Sequence, residues 1–320
     1  MKYIETYREG ERFMGIYLCK VKQSLRTKAG KTYYSLNLQD KTGIIDAKIW
    51  DINNGIEDFN SMDFIMVDGQ VTSFQGSLQV NISRVRRASE GEYDTAEYIP
   101  STKKDITQMY EELTQLIATV KEPHLRELLE SYFVNDAEFV KGFKQHSAAK
   151  SVHHGFVGGL LEHTLSVTKM CDYFAKNYPV IDRDLLITAA IFHDIGKTAE
   201  ISSFPRNEYT DEGQLLGHIF IGAEMIGTRA REISGFPPML LSELQHCILA
   251  HHGELEYGSP KKPAIVEAMA LNFADNADAK FQTITELFDN VGNTTEWLGF
   301  NRLLDSNVRK SSGSVHARKN

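Results

Sequence analysis

The sequence predicts an α+β multidomain chain, an N-terminal five-stranded β-barrel followed by an all-helical domain. Three observations predict it: period-two alternation through the first ninety residues, helical periodicity beyond residue 102, and an aperiodic polar stretch between them. The β-rich runs are Phe13–Lys22, Thr32–Gln39, Gly43–Trp50, Asp63–Phe74 and Ser77–Val85. Turn signals at Lys28-Ala-Gly30, Asp40-Lys-Thr-Gly43 and Gln75-Gly76 separate them. Asn53–Asn60 is expected to form a short helix between the third and fourth runs. Five strands with a helix after the third is the ground plan of an OB-fold barrel.

Alternation assigns the two faces. Tyr34, Leu36 and Leu38 are expected in the core, leaving Tyr33, Ser35, Asn37 and Gln39 outward. Ile45, Ala47 and Ile49 face inward, so Lys48 and Trp50 share the outer face; in the last run Leu78, Val80 and Ile82 point in. Residues 86–101 have no period. A capping box is then expected at Thr102-Lys-Lys-Asp105, ahead of an apolar stripe of Met109, Leu113, Leu116, Ile117 and Val120. Further helices are expected at His124–Phe133, Ala137–Phe143, Leu160–Asn177, Arg183–Phe192, Ile219–Ile233, Leu240–His251 and Pro263–Phe288. The resulting division is a barrel at 1–90, a linker at 91–104, a helical connecting region at 105–150, a second helical domain at 151–300, and a tail at 301–320 that is disordered at its end.

Composition narrows the function. The N-terminus is charged and lacks an apolar signal region, and the longest apolar run, Leu185–Phe192, is far too short for a bilayer. A cytoplasmic protein without membrane association is expected. Cys19, Cys171 and Cys247 are scattered, which argues against a disulfide framework or a zinc ribbon. The net charge of −8 is unevenly spread: residues 1–90 hold 13 Lys and Arg against 11 Asp and Glu. A mildly basic module on an acidic one suits a binder coupled to a metal enzyme.

Of the eleven histidines, eight lie between residues 153 and 252. His163, His193-Asp194, His218, His251-His252 and Asp275 follow in order, each in or at the end of an expected helix within apolar sequence. Buried imidazoles and carboxylates are costly unless paired or bound to metal. Several such groups delivered by separate helices are what a metal site in a bundle requires, and mixed His/Asp donors suit Mn²⁺, Fe²⁺, Co²⁺ or Zn²⁺. His124 and His146 read as surface residues, His316 as part of the tail, and His153-His154 as a loop before Gly155. Gly158-Gly159 reads as a close-packing site, since neither GxGxxG nor GK[ST] is present.

The ordered set His163, His193-Asp194 and Asp275, with the string His193-Asp-Ile-Gly-Lys197, resembles the HD superfamily of metal-dependent phosphohydrolases over roughly Val152 to Leu287. The resemblance implies that His163, His193, Asp194 and Asp275 hold one metal, and that His218 and His251 supply a second with Asp194 bridging. His252 is a further ligand or supports one. Some relatives carry a Glu four residues before the first His and bind three metals; Gly159 stands there, so two divalent ions are expected, Mn²⁺ foremost, with Co²⁺, Fe²⁺, Zn²⁺ or Mg²⁺ as alternatives. The GYP signature of cyclic-dinucleotide phosphodiesterases is missing. Two such cations lower the pKa of water and neutralise phosphate charge. Lys197, one helical turn beyond Asp194, either holds a phosphate oxygen or is a salt-bridged surface lysine.

Over the whole chain, an OB-like module followed by HHGFVGGLLEHTLSV and HDIGK resembles the YhaM-type 3′→5′ exoribonucleases of Gram-positive bacteria. That resemblance implies metal-dependent digestion of single-stranded RNA, and of single-stranded DNA in some members. Tyr33, Lys48 and Trp50 would then form a base-stacking platform, with Lys20, Lys22, Arg84, Arg86 and Arg87 tracking the backbone. Two other functions compete: a hydrolase of small nucleotides, which needs no strand-binding barrel, and a non-catalytic strand binder, which has no reason to retain His163, Asp194 and Asp275 together. A homo-oligomer is compatible with the apolar helices, but no heptad specifies one.

Overall fold

The computed structural model describes residues 2–313 apart from 53, 75, 150–154, 290, 292–293 and 302–303. His153, His154, His316 and residues 314–320 of the tail thus lie outside the described residues. The chain divides into two compact units, Met1–Ser101 with Phe204–Asn207, and Thr102–Ser203 with Glu208–Asn320.

In the first unit, β1 (Arg12–Arg26), β2 (Thr32–Asp40), β3 (Gly43–Ile49), β4 (Phe64–Phe74) and β5 (Ser77–Arg87) close a barrel in the order β1-β2-β3-β5-β4. β4 returns to β1 antiparallel, and β3 meets β5 in a parallel pairing. This is the Greek-key barrel of an OB-fold. Its interior is filled by Leu36, Leu38, Ile45, Ala47, Ile49, Ile65, Val67 and Val80, each nearly or fully inaccessible. Gly69 marks a bulge in β4. A Cβ there would sit 2.9 Å from the Asn81 carbonyl oxygen, so only glycine lets the two strands approach this closely.

Several expectations for this unit are corrected. Residues 54–60 form no helix; Ile56 instead bridges Val85, and Gly55 and Glu57 exchange backbone hydrogen bonds with Val85. The four- and three-residue spacing of Ile52, Ile56 and Phe59 mimics a helical face. The strand edge of β5 offers unpaired backbone groups, and Phe59 plugs the barrel interior. Leu78 is exposed at the hairpin end, beyond the reach of the core. Gln39, expected outward, is buried, because its amide donates to the Tyr98 carbonyl at 3.0 Å. Tyr98 and Tyr93 come from the stretch that has no period: Tyr93 stacks on Phe64 with centroids 3.9 Å apart, and both tyrosines cover an apolar patch of Ile16 and Leu18.

The second unit holds α1 (Ile106–Ala118), α2 (Pro123–Phe133), α3 (Ala137–Gln145), α4 (Gly159–Asn177), α5 (Arg183–Phe192), α6 (Lys197–Glu200), α7 (Asp211–Ala230), α8 (Pro238–Ala250) and α9 (Val266–Asp289). Side-chain caps begin most of them: Asp105, Glu122, Asp136, Asp182 and Thr210 accept backbone N–H groups that the first turn leaves unpaired. The box at Thr102 is not formed; the Thr102 hydroxyl donates to Glu162, and Asp105 caps α1 alone. α5 is the centre of the bundle, with Leu185 through Phe192 all buried. α7 begins eight residues earlier than expected and is kinked at Gly217, whose φ of 74° is left-handed. At the start of α4, Gly158 has a φ of 82°, and a Cβ there would lie 2.9 Å from Thr102 Cγ2. Among the described residues no helix is long and apolar enough to cross a membrane.

Two polar side chains also depart from expectation. His146 is buried, its ring nitrogens 2.8 and 3.0 Å from the carbonyls of Ser147 and Ile201. In the expected tail, Lys310 is buried and donates to the Phe288 carbonyl at 2.7 Å.

Candidate metal centre and barrel face

Five imidazoles and two carboxylates from α4, α7, α9 and the ends of α5 and α8 converge in the helical unit. Each imidazole is oriented through its Nδ1. His163 donates to Asp278 at 2.7 Å, His193 to the Ala190 carbonyl at 2.8 Å and His251 to the Ile248 carbonyl at 2.7 Å. His218 pairs with Glu200 at 3.0 Å, and His252 with the Tyr257 carbonyl at 2.9 Å. Committing Nδ1 leaves each Nε2 to face the others, which is how a protein sets the tautomer of a metal-binding histidine.

The donor atoms fall into two groups. His163, His193 and Asp275 offer one cluster of atoms within 4.8 Å of one another, and His218, His251 and His252 offer another. Asp194 stands between them. Its Oδ2 is 3.4 Å from both His163 Nε2 and His193 Nε2. Its Oδ1 is 3.5 Å from His218 Nε2 and 3.8 Å from His251 Nε2. His163 Nε2 also lies 3.1 Å from His193 Nε2 and from Asp275 Oδ1. Donors sharing a cation at about 2.1 Å lie roughly 3.0–3.4 Å apart, which the His163 side meets, while the 3.5 and 3.8 Å separations of His218 and His251 from Asp194 are slightly wider.

A second observation tests the fit. Asp194 Oδ1, His218 Nε2 and His251 Nε2 are buried without a hydrogen-bond partner. Buried polar atoms are rarely left in that state, and three that face one another are what divalent cations would satisfy. The donor set therefore fits divalent metal, which His163, His193 and Asp275 on one side and His218, His251 and His252 on the other would hold, with Asp194 available to both.

Electrostatics agree. Burial pushes the Asp194 carboxyl upward, but the Lys197 ammonium and the imidazoles of His193 and His163 outweigh it and hold the group well below the carboxylate range. Burial likewise works against ionised Asp275, yet His163 and His193 keep it ionised. His163 is pushed down by burial and raised further by Asp194, Asp275 and Asp278, ending well above an ordinary imidazole. Burial and then the neighbouring His252 depress His251, which stays neutral and ready to ligate.

All seven metal candidates read from sequence are thus brought together, and Lys197 joins them. Its Nζ is 2.6 Å from Asp194 Oδ2, so it is salt-bridged, but inside the site rather than on the surface. The sequence reading missed Asp278, Glu200 and Ser166, whose hydroxyl donates to Asp278. Asp278 had a legible signal, one helical turn beyond Asp275 on the same apolar helix. Glu200 had none. Asp278→Asn is expected to weaken metal affinity about 10- to 100-fold, the usual cost of removing a group that orients a ligand. Calorimetric Mn²⁺ titration checks this; unchanged affinity would show that His163 needs no such support.

The site opens into a cleft of about 920 Å³, lined among others by His163, Lys197, His218, His252 and Asp275.

On the barrel, Tyr33 and Trp50 stack with centroids 4.7 Å apart, and Trp50 remains half exposed while its indole N–H donates to Asn81. Lys48 lies alongside, held by Ser35 at 2.7 Å and Asp46 at 3.1 Å. The basic residues do not all join them. Lys22 turns away, donating to the Phe59 carbonyl at 2.6 Å and lying over the Phe59 and Tyr34 rings. The bulge between Cys19 and Val21, which places Lys20 at its centre, shifts the facing of β1 and causes this. Arg84 is exposed, whereas Arg86 is clasped by both Glu92 oxygens and Arg87 by Asp63.

Comparison with known proteins then decides the helical unit. Residues 160–280 match the HD domain family. The helical unit therefore contains an HD domain, and the seven metal candidates all lie inside its matched span. At the N-terminus the chain is similar to the second OB-fold domain of replication protein A from Methanococcus maripaludis, at 18% identity over 29% of this chain and 98% of that one, with a TM-score of 0.23. It is also similar to a replication protein A heterotrimer bound to ssDNA, at 16% identity over 27% of this chain and 64% of that one, with a TM-score of 0.21.

Proposed function

We propose that this protein is a divalent-metal-dependent phosphodiesterase that digests single-stranded RNA, and single-stranded DNA as well, from the 3′ end. The observation that carries it is the set of unpaired, inward-facing donor atoms around Asp194 in an open cleft. The stacked Tyr33–Trp50 pair, half-exposed on an OB-fold barrel, supports a strand as substrate rather than a small nucleotide.

When bound, two cations supply a water of lowered pKa and Lewis acidity toward a phosphate. The chain's own groups arrange that chemistry. Asp194 stays ionised because Lys197 is fixed against it, which leaves both carboxylate oxygens available as acceptors. His193, His218, His251 and Asp275 face the site as ligands, and His163, held by Asp278, joins them on giving up its Nε2 proton. Lys197 acts mainly by orienting Asp194, since its ammonium is already taken up by that carboxylate.

The direct test is digestion of end-labelled single-stranded RNA with Mn²⁺, with EDTA and Asp194→Asn as controls. Stepwise 3′ shortening abolished by both controls is expected. Intact RNA under conditions where nucleotides lose phosphate would instead indicate a small-nucleotide hydrolase. Trp50→Ala is expected to weaken strand binding roughly 5- to 150-fold, the range for loss of one base–aromatic stack. Fluorescence anisotropy with a labelled oligonucleotide measures it, and unchanged affinity would remove the platform from the reading.

A further inference from the structure

The HD cleft has two chemically different ends. α9 carries Asp275 and Asp278, which serve the His163 cluster, and then Lys280, whose side chain also lines the cleft. Asp275 and Lys280 are five residues apart, about 7.5 Å along the helix axis. Lys197, also on the cleft wall, is paired with Asp194. Lys280 is exposed and has no ion pair among the described residues.

The opposite cluster is edged by two tyrosines. Tyr257 is tied to it directly, since its carbonyl accepts the Nδ1–H of His252. Tyr209 is tied through the backbone: it bridges Ile201, the residue after Glu200, which holds His218. Both line the cleft, and Tyr209 and Tyr257 are 45% and 69% exposed, so no core packing accounts for them.

We propose that this cleft seats the terminal nucleotide across its two ends. Tyr209 and Tyr257 stack on the terminal base beside the His218–His251–His252 cluster, and Lys280 holds the phosphate one step upstream of the scissile one beside the His163–His193–Asp275 cluster. The proposal rests on the phosphodiesterase reading above. Stacking is indifferent to base identity, so the terminal subsite accepts any base but requires one. A lone ammonium likewise reads phosphate charge and not sequence.

The test uses the full chain with Mn²⁺ and three short RNAs: unmodified, 3′-terminally abasic, and carrying a neutral methylphosphonate one linkage upstream of the scissile bond. The wild type is expected to lose about tenfold in kcat/KM on each modified strand. In the Tyr209→Ala/Tyr257→Ala variant the abasic penalty disappears, while Tyr257→Phe keeps it. In Lys280→Ala the methylphosphonate penalty disappears, and Lys280→Arg restores it. Penalties that persist in the alanine variants overturn the proposal, as does a wild type that cleaves all three strands equally. A wild type that cleaves no diester at all overturns the phosphodiesterase reading itself, and is distinguishable on the unmodified strand.

Discussion

Asp194→Asn is expected to lower kcat on single-stranded RNA at least ~10³-fold, about 4 kcal/mol of barrier, while the affinity for the strand stays within about twofold of wild type. The substitution is nearly isosteric, so packing around α5 is kept. It removes the charge whose two oxygens face the two imidazole clusters, at 3.4 Å on one side and 3.5–3.8 Å on the other. An amide is uncharged, offers one acceptor oxygen and puts an N–H group where a cation would need a lone pair. On the proposed reading most strand affinity comes from the barrel, where Tyr33 and Trp50 lie, and is expected to be retained. Single-turnover kinetics and anisotropy on the same preparation separate the two quantities. Loss of binding with hydrolysis retained would reverse this division of labour.

Metal binding is expected to raise the melting temperature of the chelator-treated protein by on the order of 10 °C, with the increment growing as pH rises. Saturation at about a thousand times Kd is worth ~4 kcal/mol, and each kcal/mol shifts a domain of this size by roughly 2–4 °C. The pH dependence follows from His163. In the metal-free protein its pKa is raised, because three carboxylates face it. That interaction stabilises the metal-free fold fully below the ordinary imidazole pKa and is lost as pH climbs through the raised value. Protons and metal compete for His163 Nε2, so acid favours the empty site and alkaline conditions the loaded one. His251, already neutral, adds no such competition. Thermal scans with and without Mn²⁺ at several pH values measure the increment; one independent of pH would show that His163 loses no proton on loading.

Much of the architecture was legible because its signals are local. Alternation through Leu36, Leu38 and Ile45, Ala47, Ile49 marks two barrel strands, since a pleated strand buries every second side chain, while Tyr34, expected with them, is only half-buried at the core's edge. Arg183–Phe192 has the bounds expected, because an unbroken apolar run ends where charged ligands begin. The local reading failed where a neighbour overrode the pattern. Ile56 and Phe59 are spaced like a helix face but serve a strand edge and a barrel plug. Lys22 and Arg86 are basic in sequence but are engaged by Phe59 and Glu92, which no periodicity foretells.

The sequence by itself determined the barrel-then-bundle order and the residue types of the candidate metal centre, because hydrophobic period and charge within apolar runs are properties of a single stretch of chain. Only the tertiary structure decided how those residues are held. His163 is aimed by Asp278 across 115 residues and His218 by Glu200 across 18, whereas His193 and His251 are aimed by carbonyls three residues before them. A hydrogen bond is made between whatever groups folding brings within about 3 Å, so the partners of His163 and His218 exist only once the chain has packed.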